Sequence, residues 1–199
     1  MDSAASETAV VYLPDTVRYA VKILITGHFG VGKTTMVGSL SEVAPLHTEE
    51  TLSQAGQPID DLTGVAGKAT TTVAIDFGRL TLTDTLVLYL FGTPGQPRFT
   101  DLWHTLAHGA MGTVVLVDAR RLDQSFPLLD RVEDLGLPYA VAANTFDGAP
   151  RHDLHELRRA LALSADTPLV DCDVRDRQSC AHAVIALVEH LLVRHPEHP

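Results

Sequence analysis

Residues 27–34 of the chain read Gly-His-Phe-Gly-Val-Gly-Lys-Thr and satisfy the pattern G-x-x-x-x-G-K-[ST]. An apolar run at residues 19–26 precedes them and predicts a buried strand, and we expect a helix to follow. Glycines in such a turn let backbone N–H groups surround phosphates, while Lys33 would reach the β and γ phosphates and Thr34 would coordinate magnesium. At average glycine frequency a chance match is on the order of 1% or less, which makes a merely glycine-rich turn the weaker interpretation.

Composition excludes several other classes of protein. The chain has 199 residues, of which 45% are hydrophobic, and a net charge of -10 from 25 acidic and 15 basic residues. That charge disfavours nucleic acid or an anionic membrane as the main binding partner. Cys172 and Cys180 are too few for a disulfide framework or a zinc site, so both are interpreted as small buried hydrophobic residues. With no leader-like start and no apolar run of about 18 residues, we expect a cytoplasmic protein whose membrane association, if any, is made through a partner.

The pattern along the chain predicts a flexible N-terminal tail at residues 1–15 and a single domain at 16–195. Residues 45–69 show little periodicity, which predicts a long flexible loop of the kind that carries function. Residues 72–91 predict a hairpin that turns at 83–85. Strand-like runs at 113–117, 138–143 and 168–170 are each followed by a segment of helix length, which is typical of parallel βα units. The last helix has apolar residues at helical spacing, namely Ala181, Val184, Ile185, Val188, Leu191 and Leu192.

Together these elements predict an α/β fold with a six-stranded, mostly parallel sheet, one antiparallel edge strand and helices on both faces. Ligands bind at the carboxyl ends of the strands in such sheets. Four segments that are distant in sequence should therefore meet on one rim of the sheet, namely residues 27–35, 92–96, 144–147 and 172–174.

Several strings resemble the small GTPases. Residues 72–77, T-V-A-I-D-F, resemble the T-I-G-V-D-F of Rab-type proteins, and residues 91–99, F-G-T-P-G-Q-P-R-F, resemble their W-D-T-A-G-Q-E-R-F. Residues 112–118 are similar to the fourth strand of that family, and residues 144–147, N-T-F-D, resemble its N-K-x-D motif. The resemblance implies a P-loop NTPase with a Ras-like G domain. It points to the bacterial branch of the small GTPases, similar to the MglA-type gliding-motility switches and the CvnD-type conservon GTPases of actinobacteria.

The resemblance also implies roles for individual residues. Gln96 would orient the attacking water as the catalytic residue, and Thr34 and Thr72 would be the metal ligands for Mg²⁺. The phosphates of GTP or GDP would contact His28, Phe29, Gly30, Val31, Gly32, Lys33, Thr34, Thr35 and Gly95. The guanine base would contact Asn144, Thr145, Asp147, Cys172, Asp173 and Val174.

The chain departs from the family in four places. Gly92 stands where the family has an aspartate that helps to hold magnesium through water, which affects metal binding and its coupling to the following segment. Thr145 replaces the lysine that packs over the base. Phe29 is bulky and should crowd the γ phosphate, and residues 45–71 contain no arginine, so they supply no arginine finger.

These features favour a molecular switch that binds GTP and GDP with Mg²⁺ and hydrolyses GTP slowly. The resemblance implies a roadblock/LC7-type protein as partner within a signalling complex, and a GTPase-activating protein is compatible with slow hydrolysis. Two alternatives stay open. One is a nucleotide-dependent binding module without useful hydrolysis, favoured by Gly92 and Phe29 and opposed by Gln96. The other is an ATP-using P-loop enzyme, which would leave the Rab-like strings unexplained.

Overall fold

The structure, a computed structural model, describes residues 14–44, 46–53, 70–95 and 100–194; of residues 46–53, 70–74, 100 and 101 only the backbone is described. Within these described residues, seven strands form a single sheet: β1 (Tyr19–Gly27), β2 (Leu46–Ser53), β3 (Thr70–Thr83), β4 (Leu86–Gly92), β5 (Ala110–Val117), β6 (Tyr139–Asn144) and β7 (Leu169–Cys172). The described part of the chain also contains five α-helices: α1 (Lys33–Leu40), α2 (Thr100–Ala107), α3 (Phe126–Asp134), α4 (Leu154–Ala160) and α5 (Arg177–Arg194). A 3₁₀ helix at Ala119–Gln124 precedes α3.

The strand order is β2-β3-β4-β1-β5-β6-β7. The pairs from β4 through β7 are parallel, whereas β3 runs antiparallel to both β2 and β4. The predicted fold class is therefore confirmed, and each of the six predicted strands is present. The hairpin turns at residues 84 and 85, as the sequence indicated.

One strand was missed. Residues 46–53 form β2, at one end of the sheet, in the segment predicted to be a flexible loop. The antiparallel strand β3 consequently lies between β2 and β4 rather than at the edge of the sheet. An edge strand is held by its backbone ladder to one neighbour and needs no apolar alternation, so the polar sequence of β2 carried no strand signal. The rest of the predicted loop, and residues 1–13 of the predicted tail, lie outside the described residues.

Alternation along the central strands divides the core between the two faces of the sheet. In β5, Val114 and Leu116 pack with α1 and α5, whereas Val115 and Val117 pack with α3 and α4. A strand that is buried on both faces reads as a continuous apolar run, which explains why β5 and β6 were recognised. Trp103 of α2 completes the second cluster.

The face that α5 buries differs in part from the prediction. The residues turned fully to the sheet are Cys180, Ala183, Val184, Leu187 and Leu191. Ile185 and Leu192 are instead 52% and 67% exposed. The stripe that faces the sheet is therefore rotated from the predicted one toward Cys180, Ala183 and Leu187. Both cysteines are buried and unpaired, as predicted.

The connection from β1 to α1 positions the phosphate-binding motif. Residues 28–32 form the turn between them, and Gly32 caps α1 in the left-handed conformation with φ 109°. Met36, Val37 and Leu40 recur at helical spacing and are fully buried. Because they anchor α1 under the sheet, the first turn of the helix is held at the carboxyl end of β1. Among the described residues no helix is both long and apolar enough to cross a membrane.

Candidate nucleotide site

Glycines shape the turn at residues 27–34. Gly27, Gly30 and Gly32 all have positive φ, at 148°, 80° and 109°. A Cβ on Gly32 would also lie 2.9 Å from Val174 and 3.1 Å from the amide nitrogen of Asn144. The last glycine is therefore required both by its backbone conformation and by the close approach of two other segments.

Lys33 lies at the centre of this turn. Its Nζ donates to the carbonyl oxygens of Gly27 at 2.9 Å and His28 at 2.8 Å. Burial lowers the pKa of Lys33 to about 8, and the Asp76 carboxylate opposes part of that shift. A partly desolvated ammonium that two carbonyl oxygens hold in the turn is suited to bind an anion with several oxygens, such as a phosphate chain.

Gly95 lies directly against this turn. A Cβ at this position would be 2.7 Å from both Lys33 Nζ and the backbone nitrogen of Phe29. The structure thus places Gly95 against the turn that holds Lys33, and its contact with a phosphate stays a prediction. Gln96, the predicted catalytic residue, lies outside the described residues, so its role stays a prediction.

Phe29 is 71% exposed, and its ring stands out from the turn. Together with Gly95 and Trp103 it lines a cavity of about 350 Å³. Trp103 is held there because its Nε1 donates to the Pro94 carbonyl at 3.3 Å. Crowding of the γ phosphate by Phe29 stays a prediction.

Asn144 joins three segments of the site. It is the last residue of β6 and is 7% exposed. Its Nδ2 donates to the Val31 carbonyl at 2.9 Å, and its Oδ1 accepts from the Val174 backbone nitrogen at 3.2 Å. The predicted base-binding segments are thereby attached to the phosphate-binding turn, and three of the four predicted rim segments meet at one side chain.

Asp147 is paired with a residue that the sequence did not single out. Arg175 donates to Asp147 Oδ2 at 2.8 Å and contacts Asp173 through both Nε and Nη2 at 2.9 Å. Hydrogen bonding from Arg175 holds the pKa of Asp147 below its ordinary value. Asp147 therefore stays ionised, and its carboxylate stands 85% exposed at the rim.

Two of the predicted base contacts are not available as side chains. Cys172 is fully buried in the core and Val174 is 5% exposed, packed against Gly32. Their backbones contribute instead: the Cys172 carbonyl accepts from the Thr145 nitrogen at 2.8 Å, and Val174 donates to Asn144. Contact of these residues with a base stays a prediction, and in this structure only their backbone groups could make it.

The two predicted metal ligands lie on different elements, and their contact with a metal stays a prediction. Thr34 Oγ1 donates to Asp76 Oδ2 at 2.6 Å. Thr72 lies in β3, paired with Thr51 of β2, four residues before Asp76. At the rise of a strand that separation is about 13 Å. The structure thus brings Thr34 to Asp76, which lies within the T-V-A-I-D-F string but was not among the predicted site residues.

Other polar residues have structural explanations. Asp118 caps the 3₁₀ helix by accepting from the Arg120 nitrogen at 2.9 Å. His104 and His108, spaced as a possible metal pair, are both exposed on and after α2. No group of three or more metal-ligating side chains occurs in the part of the chain that is described.

A phosphate-binding turn between β1 and α1, tied by Asn144 to the loops after β6 and β7, defines a P-loop nucleotide-binding protein with the G-domain fold. Residues 25–194 match the family described as "Conserved hypothetical ATP binding protein", and the chain belongs to that family. It is also 30% identical over 129 residues to the uncharacterized protein MJ1339 of Methanocaldococcus jannaschii, covering 64% of this chain and 71% of that protein.

Solved structures of G domains share the fold. The G domain of the T. maritima FeoB iron transporter superposes with a TM-score of 0.58 at 21% identity, covering 86% of this chain and 98% of that one. The FeoB G domain of Methanococcus jannaschii has a TM-score of 0.58 at 15% identity, covering 87% and 99%. The cytosolic domain of T. maritima FeoB in a GDP form has a TM-score of 0.62 at 19% identity, covering 90% and 66%. These likenesses establish the fold.

Proposed function

We propose that the protein is a guanine-nucleotide switch that binds GTP and GDP together with Mg²⁺ and hydrolyses GTP slowly. The observation that carries the proposal is the position of Asn144. This residue fixes the N-x-x-D segment to the phosphate-binding turn, so that Asp147 lies on the same rim as Lys33.

Guanine recognition would rest on Asp147. An ionised carboxylate accepts hydrogen bonds from the two neighbouring N–H groups of guanine, and adenine offers no such pair of donors. Because Arg175 is held by Asp173 through two further hydrogen bonds, the Asp147 contact can open while Arg175 stays in place. The pair is exposed, so opening it costs little.

Phosphate binding would rest on Lys33 and on the N–H groups of the turn at the start of α1. Mg²⁺, when bound, would neutralise the phosphate oxygens, and Thr34 offers it a hydroxyl oxygen at the first turn of the helix. Slow hydrolysis follows from the missing arginine in residues 45–71. The same proposal includes a roadblock/LC7-type partner and a signalling complex. It also includes the narrower likeness to the MglA-type and conservon GTPases.

The family description favours a second candidate, an ATP-binding protein. Thr145, which lacks the lysine of N-K-x-D, and the Arg175 contact on Asp147 are compatible with it. Affinity for the base separates the two candidates, whereas fold and phosphate binding do not.

The test is a titration of labelled GDP and ADP against the wild type and Asp147→Ala. The proposal predicts that the wild type binds GDP more tightly than ADP. Asp147→Ala should weaken the binding of GDP by more than about 2 kcal/mol, because the N–H donors of guanine lose a charged acceptor. ADP affinity should be unchanged in the variant and serves as the control. Equal affinities of the wild type for GDP and ADP would favour the ATP-binding candidate.

A further inference from the structure

Strands β1, β3 and β4 have a second face on the side of the sheet away from α1. A Cβ on Gly78 would lie 2.9 Å from Val37 of α1, and Leu80 packs against the core cluster that includes this helix. Side chains alternate between the two faces along a strand. Phe77 and Arg79, which alternate with Gly78 and Leu80, therefore point away from α1.

Three aromatic and two basic side chains share this second face. Phe91 is the ladder partner of Phe77, and Tyr89 is the ladder partner of both Arg79 and Lys22. The Phe77 ring centroid lies 5.6 Å from that of Tyr89 and 5.2 Å from that of Phe91. Lys22 Nζ lies 5.2 Å from the centroid of the Phe91 ring. We call these five residues the basic-aromatic face.

Arg79 is the unusual member of the basic-aromatic face. It is 8% exposed, and its Nε and Nη1 have no hydrogen-bond partner among the described residues. Its backbone groups are used, since its nitrogen donates to Ser41 Oγ at 3.2 Å and its carbonyl accepts from the Glu42 nitrogen at 2.8 Å. A guanidinium keeps its proton in proteins, so the chain buries a permanent charge with two unused donors. Such burial is costly unless an anion pairs with the charge.

The described part of the chain supplies no such anion. Neither Arg79 nor Lys22 forms an ion pair with any described residue. Glu42 contacts the Arg79 backbone, but its carboxylate accepts from the Thr81 nitrogen at 3.0 Å and lies 3.7 Å from Arg177. The basic-aromatic face thus carries two cations in a chain whose net charge is -10. Charge complementarity favours an acidic occupant.

We propose that the basic-aromatic face binds an acidic segment of a partner protein, in which an aspartate or glutamate is flanked by apolar residues, and that Arg79 binds its carboxylate. A planar guanidinium can donate two parallel N–H bonds to a carboxylate. Because the arginine stem is long and flexible, the guanidinium can turn toward the carboxylate while the stem stays buried.

The rings decide between a protein segment and a small anion. Phe77, Tyr89 and Phe91 are half-buried, and they offer apolar contact area to the neighbours of a carboxylate in a polypeptide. A free carboxylate such as acetate cannot use that area. The inference goes beyond the proposed nucleotide switch, and it does not depend on which nucleotide the protein binds.

A purely structural role for Arg79 makes the opposite prediction about stability. If its charge holds the strands together, Arg79→Met should lower Tm. If Arg79 serves binding, Arg79→Met removes an unpaired buried charge, keeps an apolar stem and should raise Tm by about 2–10 °C without any ligand. Arg159→Gln, at an exposed position of α4, is the matched control and should leave Tm unchanged.

The binding experiment follows the Nε–H signal of Arg79 by NMR in ¹⁵N-labelled protein, where the signal is assigned by its loss in Arg79→Met. The probe is the capped peptide Ser-Leu-Glu-Phe-Leu-Ser, and the same peptide with Gln in place of Glu is the control. The Glu peptide should shift the Arg79 signal in a saturable manner. The Gln peptide, and the Glu peptide on Arg79→Lys, should bind at least about 10-fold more weakly, because a charged bidentate pair is lost.

Four results would overturn the inference. They are an Arg79 signal that the Glu peptide does not move, equal binding of the Glu and Gln peptides, an equal response to sodium acetate, and a lowered Tm in Arg79→Met. The readout at Arg79 involves no nucleotide. A wild type that fails to select guanine would therefore refute the proposed function and leave this result unchanged.

Discussion

Replacing Asn144 by alanine should destabilise the fold as well as the site. The substitution leaves the Val31 carbonyl and the Val174 nitrogen without their partners at 2.9 Å and 3.2 Å. Both groups lie in buried surroundings, where an unpaired backbone group costs about 1–3 kcal/mol. Some relaxation toward water will reduce the total, so we expect a loss of about 2–4 kcal/mol in the free energy of unfolding.

For a domain of this size a loss of that magnitude lowers Tm by about 5–15 °C. Denaturant unfolding without nucleotide measures the free energy, and a thermal melt measures the shift. The matched control is Thr145→Ala, at the next residue, which is half-buried and hydrogen-bonds through its backbone nitrogen. That control should stay within about 0.5 kcal/mol of the wild type. If Asn144→Ala unfolds as the control does, Asn144 does not join the phosphate-binding turn to the loops after β6 and β7.

Three further predictions concern Lys33, Arg175 and Phe29. Because the pKa of Lys33 is about 8 and bound phosphates should raise it, GDP affinity should be full below pH 7 and fall above pH 8, by at most about tenfold per pH unit. Titrations at several pH values should show a flatter profile for Lys33→Arg, and an identical profile would contradict the assignment. Arg175→Ala should leave Tm unchanged and tighten the binding of GDP, but not of ADP, by at most a few-fold, because the exposed pair with Asp147 no longer has to open. Weaker GDP binding in this variant would mean that Arg175 contributes to the base site. Single-turnover GTP hydrolysis by the wild type should be near or below about 10⁻³ per second. Phe29→Gly should raise this rate or make it responsive to an activating protein. Wild-type turnover of about one per second would refute the explanation that Phe29 and the missing arginine slow hydrolysis.

Local patterns predicted the main framework. The turn at residues 27–34 was identified because its glycines and Lys33 sit between an apolar strand and a helix, and strands β5 and β6 were identified as continuous apolar runs. These signals are carried by residues adjacent in sequence. The common rim of the site followed from the general rule that loops after parallel strands meet at one edge.

Features that depend on register or on packing were not readable from the sequence. Asp76 lies opposite Gly92 only because of the β3–β4 register, and shifting it by one residue would turn the carboxylate to the other face. The pairing of Asp147 with Arg175 requires two loops that are 28 residues apart to meet. The exposed position of Ile185 depends on which of two overlapping apolar stripes of α5 packs on the sheet.

The central claim is that this nucleotide site selects guanine. The most direct measurement incubates the purified protein with equimolar GTP and ATP in Mg²⁺, removes free nucleotide by gel filtration, and identifies the bound nucleotide by chromatography after denaturation. Guanine nucleotide in clear excess, with the excess lost in Asp147→Ala, is the predicted result. Adenine nucleotide in equal or greater amount in the wild-type protein would contradict the claim.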